Sequence, residues 1–273
     1  MDDDARPSEE PPWTLPTEEC PWAFVDCEMT GLDPARDSLL EVAVVRVRGG
    51  VVESERCTLL QANADSDAEA RALHGIVPAA LARAPRFADV AADLAALLHG
   101  AVPVFHGADL DVRFLDLAFE AAGVEHRVGP VLDTVRLARR AVCATRYNLR
   151  VLCGTLGIAP VRWHRAGEDV RALRGLFARL CAELAPSSAM DLWEVRVGQE
   201  GAAVLRRRVA AVLEDALVSG RNVGLVVRTP GQSPRVLRGS VAWFRPPHVG
   251  IERTDPTPGF AVLRADRILR FEG

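Results

Sequence analysis

The sequence predicts an α/β fold, a mixed sheet flanked by helices, followed by a second, smaller domain of one helix and a set of short strands. Three observations carry this expectation. Apolar runs stand at 22–27, 39–47 and 51–60, and only Arg48-Gly49-Gly50 separates the last two, which is the spacing of an antiparallel hairpin. Further along, segments with helical apolar spacing alternate with short apolar runs, as in helices laid on a sheet. Beyond Ala185-Pro186-Ser187-Ser188 the pattern changes to short strands cut by Pro and Gly.

The elements follow in order. Residues 1–20 hold seven acids and several prolines and read as a disordered acidic tail. Residues 22–27 form the first strand, and the hairpin follows. Residues 65–84 read as a loop with short helical pieces, carrying Leu73-His74-Gly75-Ile76. Val90, Leu94, Leu97 and Leu98 give a helix over 87–98, and 101–105 is a fourth strand. Val112, Leu115, Phe119 and Ala122 mark a helix over 109–122. A short fifth strand ends at Leu132-Asp133-Thr134, where Asp133 or Thr134 can cap the next helix. Helices over 148–156 and 168–184 close a domain spanning 21–185. The small mainly-β domain, 186–273, opens with a helix over 204–219 that carries Arg206-Arg207-Arg208. Strands follow at 223–228, 235–244, 249–253, 260–263 and 268–271, a spacing that suggests a small barrel.

Composition excludes several classes. No apolar run approaches the length of a membrane-crossing helix, so no membrane is expected. The start, Met1-Asp2-Asp3-Asp4, is acidic and lacks the apolar stretch of a secretory signal. The six cysteines form no CxxC pairs and mostly lie in apolar runs, which fits reduced thiols in a cytoplasmic protein and argues against structural zinc. The net charge of −4 is unevenly spread: residues 186–273 hold 13 Arg against 9 acids, and the rest of the chain is acidic.

The chemistry begins at Val25-Asp26-Cys27-Glu28-Met29-Thr30-Gly31-Leu32. On a strand, residues two apart face the same way, so Asp26 and Glu28 converge. Two such carboxylates repel each other unless a cation lies between them, most commonly a divalent metal. Asp111, at the start of the helix after the fourth strand, is placed where a parallel sheet gathers functional residues. Asp109 competes with it, although its offset favours an outward position. In His164-Arg165-Ala166-Gly167-Glu168-Asp169, a continuous helix would hold His164 and Asp169 about 140° apart. They meet only if His164 lies in the loop and Asp169 in the first helical turn, with Gly167 marking the break.

These residues carry a resemblance. The chain resembles the DEDDh (DnaQ-like) 3′→5′ exonucleases, and among them the branch of the bacterial DNA polymerase III epsilon (proofreading) subunit. Asp26-x-Glu28 with Thr30-Gly31-Leu32 resembles the first motif of that family. His106 with Asp111 and Phe114-Leu115 resembles the second, and His164-x-Ala166-x-x-Asp169 the third. Leu73-His74-Gly75-Ile76 and Leu132-Asp133-Thr134 with Leu137-Ala138-Arg139 resemble secondary landmarks. Two departures stand out: Gly107 replaces the usual Asn after His106, and Asp109-Leu110 replaces the usual small residue and Phe; Met29, after the glutamate, is reminiscent of oligoribonuclease. More weakly, 216–223 and 263–268 resemble a WYL-type, Sm-like small barrel.

The resemblance implies an RNase H-like fold and two Mg²⁺ or Mn²⁺ ions held by Asp26, Glu28, Asp111 and Asp169. It implies His164 as general base and release of nucleoside 5′-monophosphates. Met29, Thr30, Gly31, Leu32, His74, His106 and Arg165 become the expected substrate contacts, with Leu32 wedged against the terminal base. Arg146, Arg150, Arg162 and Arg165 flank the third motif, where phosphates pass. The expected partners are 3′ ends of single-stranded nucleic acid, DNA favoured, and a DNA polymerase or another replication or repair protein. An RNA exonuclease and a non-catalytic nucleic-acid-binding regulator stand as the alternatives.

Overall fold

A computed structural model describes residues 6–62, 74–142, 144, 146–159, 163–196, 199–227, 235–245, 248–255 and 257–272. Residues 65–73 of the 65–84 loop, Leu73 among them, Arg162, Arg228 and the first five residues of the tail lie outside the described residues, as do the side chains of Arg206, Arg207 and Arg208. By its contacts the chain divides into two compact units. One holds residues 1–135, 146–179 and 187–190; the other holds 136–145, 180–186 and 191–273. The second therefore takes in short stretches from within the 21–185 span.

The first sheet has strand order β3-β2-β1-β4-β5, built from β1 (Trp22–Met29), β2 (Leu39–Arg48), β3 (Val51–Leu59), β4 (Val102–Phe105) and β5 (Leu132–Asp133). β1 runs antiparallel to β2 and parallel to β4, so the sheet is mixed, as the sequence predicts. The helices are α1 (Pro78–Leu81), α2 (Phe87–Leu98), α3 (Ala108–Ala121), α4 (Thr134–Ala141), α5 (Leu149–Thr155), α6 (Ala166–Leu184), α7 (Ala189–Arg196) and α8 (Gln199–Ser219). None of the described helices is long and apolar enough to cross a membrane.

The two faces of β1 are covered by different helices. Ala23, Val25 and Cys27 share a buried cluster with Val90, Leu94 and Leu98 of α2 and with Val112, Leu115 and Phe119 of α3. Trp22 and Phe24 point to the other face, where Phe177 of α6 lies 4.9 Å from Trp22 and 5.4 Å from Phe24, ring centroid to centroid. Alternation along one strand thus assigns each helix to its side.

Residues 7–20 depart from the expected tail. Trp13 is 4% exposed, and its carbonyl accepts from the Met190 amide at 2.9 Å. The Thr17 amide donates to Ser187 at 3.2 Å, and Cys20 is buried. The acidic and proline-rich composition hides two apolar anchors, and those anchors hold the segment in place.

The second unit carries a five-stranded antiparallel sheet of order β10-β6-β7-β8-β9, made of β6 (Asn222–Val227), β7 (Arg235–Arg245), β8 (His248–Asp255), β9 (Gly259–Arg264) and β10 (Ile268–Glu272). Val209, Leu213 and Ala216 of α8 pack on its inner face with Leu225, Val241, Val249 and Ile251. The order is linear, and β9 and β10 are not paired among the described residues. The expected helix and strands are therefore present, arranged as a sheet whose edges do not close into a barrel there.

Candidate active site

The site is built at the carboxyl end of β1. Trp22, Phe24, Asp26 and Glu28 share one face of the strand. From Trp22 to Asp26 the strand advances about 13 Å. From Phe177 back to Asp169, α6 advances about 12 Å. With Phe177 seated on Trp22 and Phe24, the first turn of α6 therefore arrives beside Asp26 and Glu28. One oxygen each of Glu28 and Asp169 and one ring nitrogen of His164 lie within 4.8 Å of one another, an arrangement able to hold a metal ion.

His164 sits in the loop, as expected, at a left-handed φ of 63°, which non-glycine residues seldom adopt and which marks a constrained position. Its amide donates to Asp169 Oδ2 at 3.0 Å. The other carboxylate oxygen, Oδ1, is buried and has no hydrogen-bond partner among the described residues. The break in the chain differs from the expected one. The helix begins at Ala166, so Gly167 lies inside its first turn and the turn-breaking conformation belongs to His164.

Asp111 comes from the opposite side. Its Oδ1 accepts from the Cys27 amide at 3.1 Å, on the backbone between Asp26 and Glu28. Asp109 is exposed, so the choice between the two falls to Asp111. Asp133 Oδ1 fixes the loop that aims α3, accepting from the Gly107 amide at 3.0 Å and the Val135 amide at 2.8 Å. Gly107 has φ 83°, a left-handed conformation that glycine and asparagine both tolerate. The departure at Gly107 therefore keeps the conformation. Thr134 Oγ1 donates its single proton to the Phe105 carbonyl at 2.9 Å. Its 2.9 Å contact with His106 Nδ1 must then be an acceptance, which puts the proton of His106 on Nδ1.

Electrostatics mark the cluster. Burial, and then the neighbouring Asp111, Asp169 and Glu28 charges, push the Asp26 carboxyl well above its usual range. Burial and the facing carboxylates Asp169, Glu41 and Asp111 raise Glu28 to about 8. Asp111 is raised by burial to about 7, against the opposing pull of the Cys27 amide. Burial likewise raises Asp169 to about 6. Four acids in a site that disfavours their charge need a cation to ionise together. The donor set is all hard oxygen plus one imidazole, and Asp169 keeps one buried oxygen unpaired among the described residues, so the residues fit a divalent ion.

Glu41 completes the site and was not among the candidates. It is 2% exposed and stands directly across from Glu28 in the β1–β2 register. Arg165 grips it with two bonds, Nη2 to Oε1 at 2.7 Å and Nε to Oε2 at 2.9 Å, and the Ala166 amide donates to Oε2 at 3.0 Å. Arg165, an expected substrate contact, is thereby turned onto Glu41. A signal for Glu41 was present: one acid stands inside the apolar run 39–45.

The remaining candidates are placed as follows. Thr30 is fully buried, with Oγ1 donating to Asp37 Oδ1 at 2.9 Å and accepting from the Ser38 amide at 2.9 Å. A Cβ on Gly31 would come within 2.5 Å of the same carboxylate, so only glycine fits there. Met29 is half-buried at the end of β1. Leu32 is 79% exposed, which leaves it free of the core. His74 is buried, and its Nδ1 accepts from the Ile76 amide at 2.9 Å. Arg146 and Arg150 are exposed. Among the described residues five cysteines are free, and Cys57, unlike Cys20, Cys27 and Cys153, is exposed.

A family model described as RNase_T, Exonuclease, matches residues 23–177, which include every residue of the cluster. The chain belongs to the RNase_T exonuclease family. This agrees with the DEDDh (DnaQ-like) pattern in its sequence. The chain is similar to the DNA polymerase III PolC-type protein of Thermotoga maritima, 29% identical over 158 residues, 58% of this chain and 12% of that protein. It is also similar to the 3′-5′ exonuclease DinG of Staphylococcus aureus, 28% identical over 149 residues, 54% of this chain and 17% of that one. The chain thus spans less than a fifth of the length of these relatives. Among solved structures, Escherichia coli exonuclease I in complex with a dT13 oligonucleotide matches with a TM-score of 0.55 and 12% identity, covering 91% of this chain and 64% of that one. Exonuclease X in complex with 5′ overhanging duplex DNA matches with a TM-score of 0.51 and 22% identity, covering 63% of this chain and 99% of that one. These likenesses bear on the fold, which is RNase H-like in its first sheet.

Proposed function

We propose that this chain is a metal-dependent 3′→5′ exonuclease that hydrolyses phosphodiester bonds at the 3′ ends of single-stranded DNA and releases nucleoside 5′-monophosphates. One observation carries the reading: Asp26, Glu28, Asp111 and Asp169 converge with His164 at the end of β1, and Asp169 Oδ1 has no partner among the described residues. Asp26, Glu28, Asp111 and Asp169 would hold two Mg²⁺ or Mn²⁺ ions. Such ions, when bound, activate the attacking water and stabilise the leaving 3′-oxygen.

The chain's own residues do the rest. His164, exposed at the mouth of the cluster, takes the proton of the attacking water. Its strained loop is held by Asp169 through the His164 amide, so base and carboxylate keep one geometry. The backbone at Met29 and Thr30 faces the terminal 3′-hydroxyl, Gly31 allows the close turn, and Leu32 lies against the terminal base. His106 and His74 support the walls of the groove. Arg165, held by Glu41, acts as an anchor of the third motif, and Arg146 and Arg150 are the better phosphate contacts.

The names of the polymerase III PolC-type and DinG relatives, and the DNA complexes of the structural neighbours, support DNA over RNA. The polymerase III PolC-type relatives also support a place in replication or repair beside a DNA polymerase. A panel of matched single- and double-stranded DNA and RNA, with Mg²⁺ or Mn²⁺ and product sizing, tests the reading. Mononucleotides released fastest from single-stranded DNA are expected. Faster release from RNA moves the assignment to an RNA exonuclease, and release from none of the four removes the enzyme reading.

A further inference from the structure

The outer face of the second sheet is unlike an ordinary solvated surface. Register places three rows across β7, β8 and β9: Ser240–Glu252–Phe260, Trp243–Gly250–Val262 and Arg245–His248–Arg264. The opposite face holds Val241, Val249 and Ile251 in the core, so these rows point outward. Phe260 is 54% and Val262 56% exposed, on an edge strand. A Cβ on Gly250 would lie 2.4 Å from Trp243 Nε1 and 2.8 Å from Phe260 Cζ. Both rings therefore lean over the bare backbone of one glycine and form, with Val262, an apolar patch that reaches the β9 edge of the sheet. Arg245, His248 and Arg264 form an exposed basic row beside it, while of the acids on this face Glu252 lies at the other end of the patch and Asp255 is paired with Arg238 at 2.9 Å.

An aromatic patch next to a row of guanidinium groups has the chemistry of a stacking platform. Bases of any sequence stack on exposed rings, and cations beside the rings meet the phosphates. A partner made only of apolar side chains leaves the basic row unused; a polyanion with flat faces uses both. We propose that this face of the second sheet, with Trp243, Phe260 and Val262 as the stacking surface and Arg245, His248 and Arg264 as the phosphate row, binds unpaired nucleic acid. The substrate class rests on the nuclease reading above.

Binding is measured by fluorescence anisotropy on the full chain carrying Asp26→Ala, which blocks cleavage, with a labelled oligothymidylate of about 16 nucleotides. Trp243→Ala and Phe260→Ala should each weaken binding about tenfold. Arg245→Gln should flatten the dependence of log affinity on log salt by about one phosphate contact. Because Trp243 is half-buried, Val262→Glu supplies a second variant at an exposed position that keeps the fold. It should also weaken binding, with an unchanged circular dichroism spectrum. Affinity within twofold of the parent for Phe260→Ala and Val262→Glu overturns the proposal. So does a parent that sediments as a dimer and becomes a monomer on Val262→Glu, which gives the face to a second copy of the chain. Mononucleotide release is read separately on the chain without Asp26→Ala, so a failure of the nuclease reading shows as absent release and a failure of the platform as unchanged binding.

Discussion

At the scale of single residues, the site depends on a carboxylate that is not itself expected to meet substrate. Glu41 accepts from Arg165 twice and from the Ala166 amide once, and it faces Glu28 across the β1–β2 pair. Arg165 and Ala166 sit between His164 and Asp169 in sequence, so Glu41 sets where the third motif lands. Replacing Glu41 with Gln should lower kcat about 10- to 100-fold, the usual effect of losing a group that orients metal ligands, with KM for an oligonucleotide within about threefold. Stability should fall by about 2 kcal/mol with the loss of charged hydrogen bonds. Steady-state kinetics decide the matter: a raised KM with kcat intact would instead make Arg165 a substrate contact. The carboxylates of the cluster were legible in the sequence because their placement is written in spacing, two residues on a strand or a helix start after a strand. Glu41 was less legible, because its partner is 124 positions away and only the fold brings them together. The αL turn at His164 was hidden for another reason. A sequence suggests glycine for such a conformation, and here Gly167 stood nearby as the more obvious break.

At the scale of elements, α6 is the arm that carries Asp169 to β1. Its position is fixed by Phe177, which meets Trp22 at 60° and Phe24 at 73° and is buried with them. Phe177→Ala should cost about 3 to 5 kcal/mol of stability, read as a lower midpoint of chemical unfolding with an unchanged slope. It should also lower kcat, although Phe177 lies more than two turns from Asp169, because the helix loses the contact that sets its approach. Full activity in a folded Phe177→Ala chain would mean that the loop at His164 alone positions Asp169. Most elements were legible in order and near their bounds, because hydrophobic periodicity records which face is buried. The fold placed residues 7–20 differently, since Trp13 and Cys20 find partners on a distant segment that no local pattern reveals.

At the scale of the whole molecule, the acids convert the site into a pH-dependent load on the fold. Glu28, Asp111 and Asp169 are raised to about 8, 7 and 6 in the folded chain, above the value of about 4 that free carboxyls have. Without divalent ions the folded state therefore holds more protons than the unfolded state between about pH 4 and 8, and stability falls as pH rises through that window. In EDTA the thermal midpoint at pH 8.5 should lie at least about 3 °C below that at pH 5.5, beyond any change seen in Glu28→Gln. Added Mn²⁺, which takes the ionised carboxylates, should raise the midpoint more at the higher pH. An identical pH slope in wild type and Glu28→Gln would count against the cluster as the cause. The most direct test of the central claim is release of nucleoside 5′-monophosphates from a 5′-labelled single-stranded DNA, with and without Mg²⁺ or Mn²⁺. The wild type should shorten the strand from its 3′ end only when the ion is present. The folded Asp26→Ala, Glu28→Ala chain should be slower by at least about 1,000-fold. Metal-independent shortening, or equal rates in the double variant, would contradict the account.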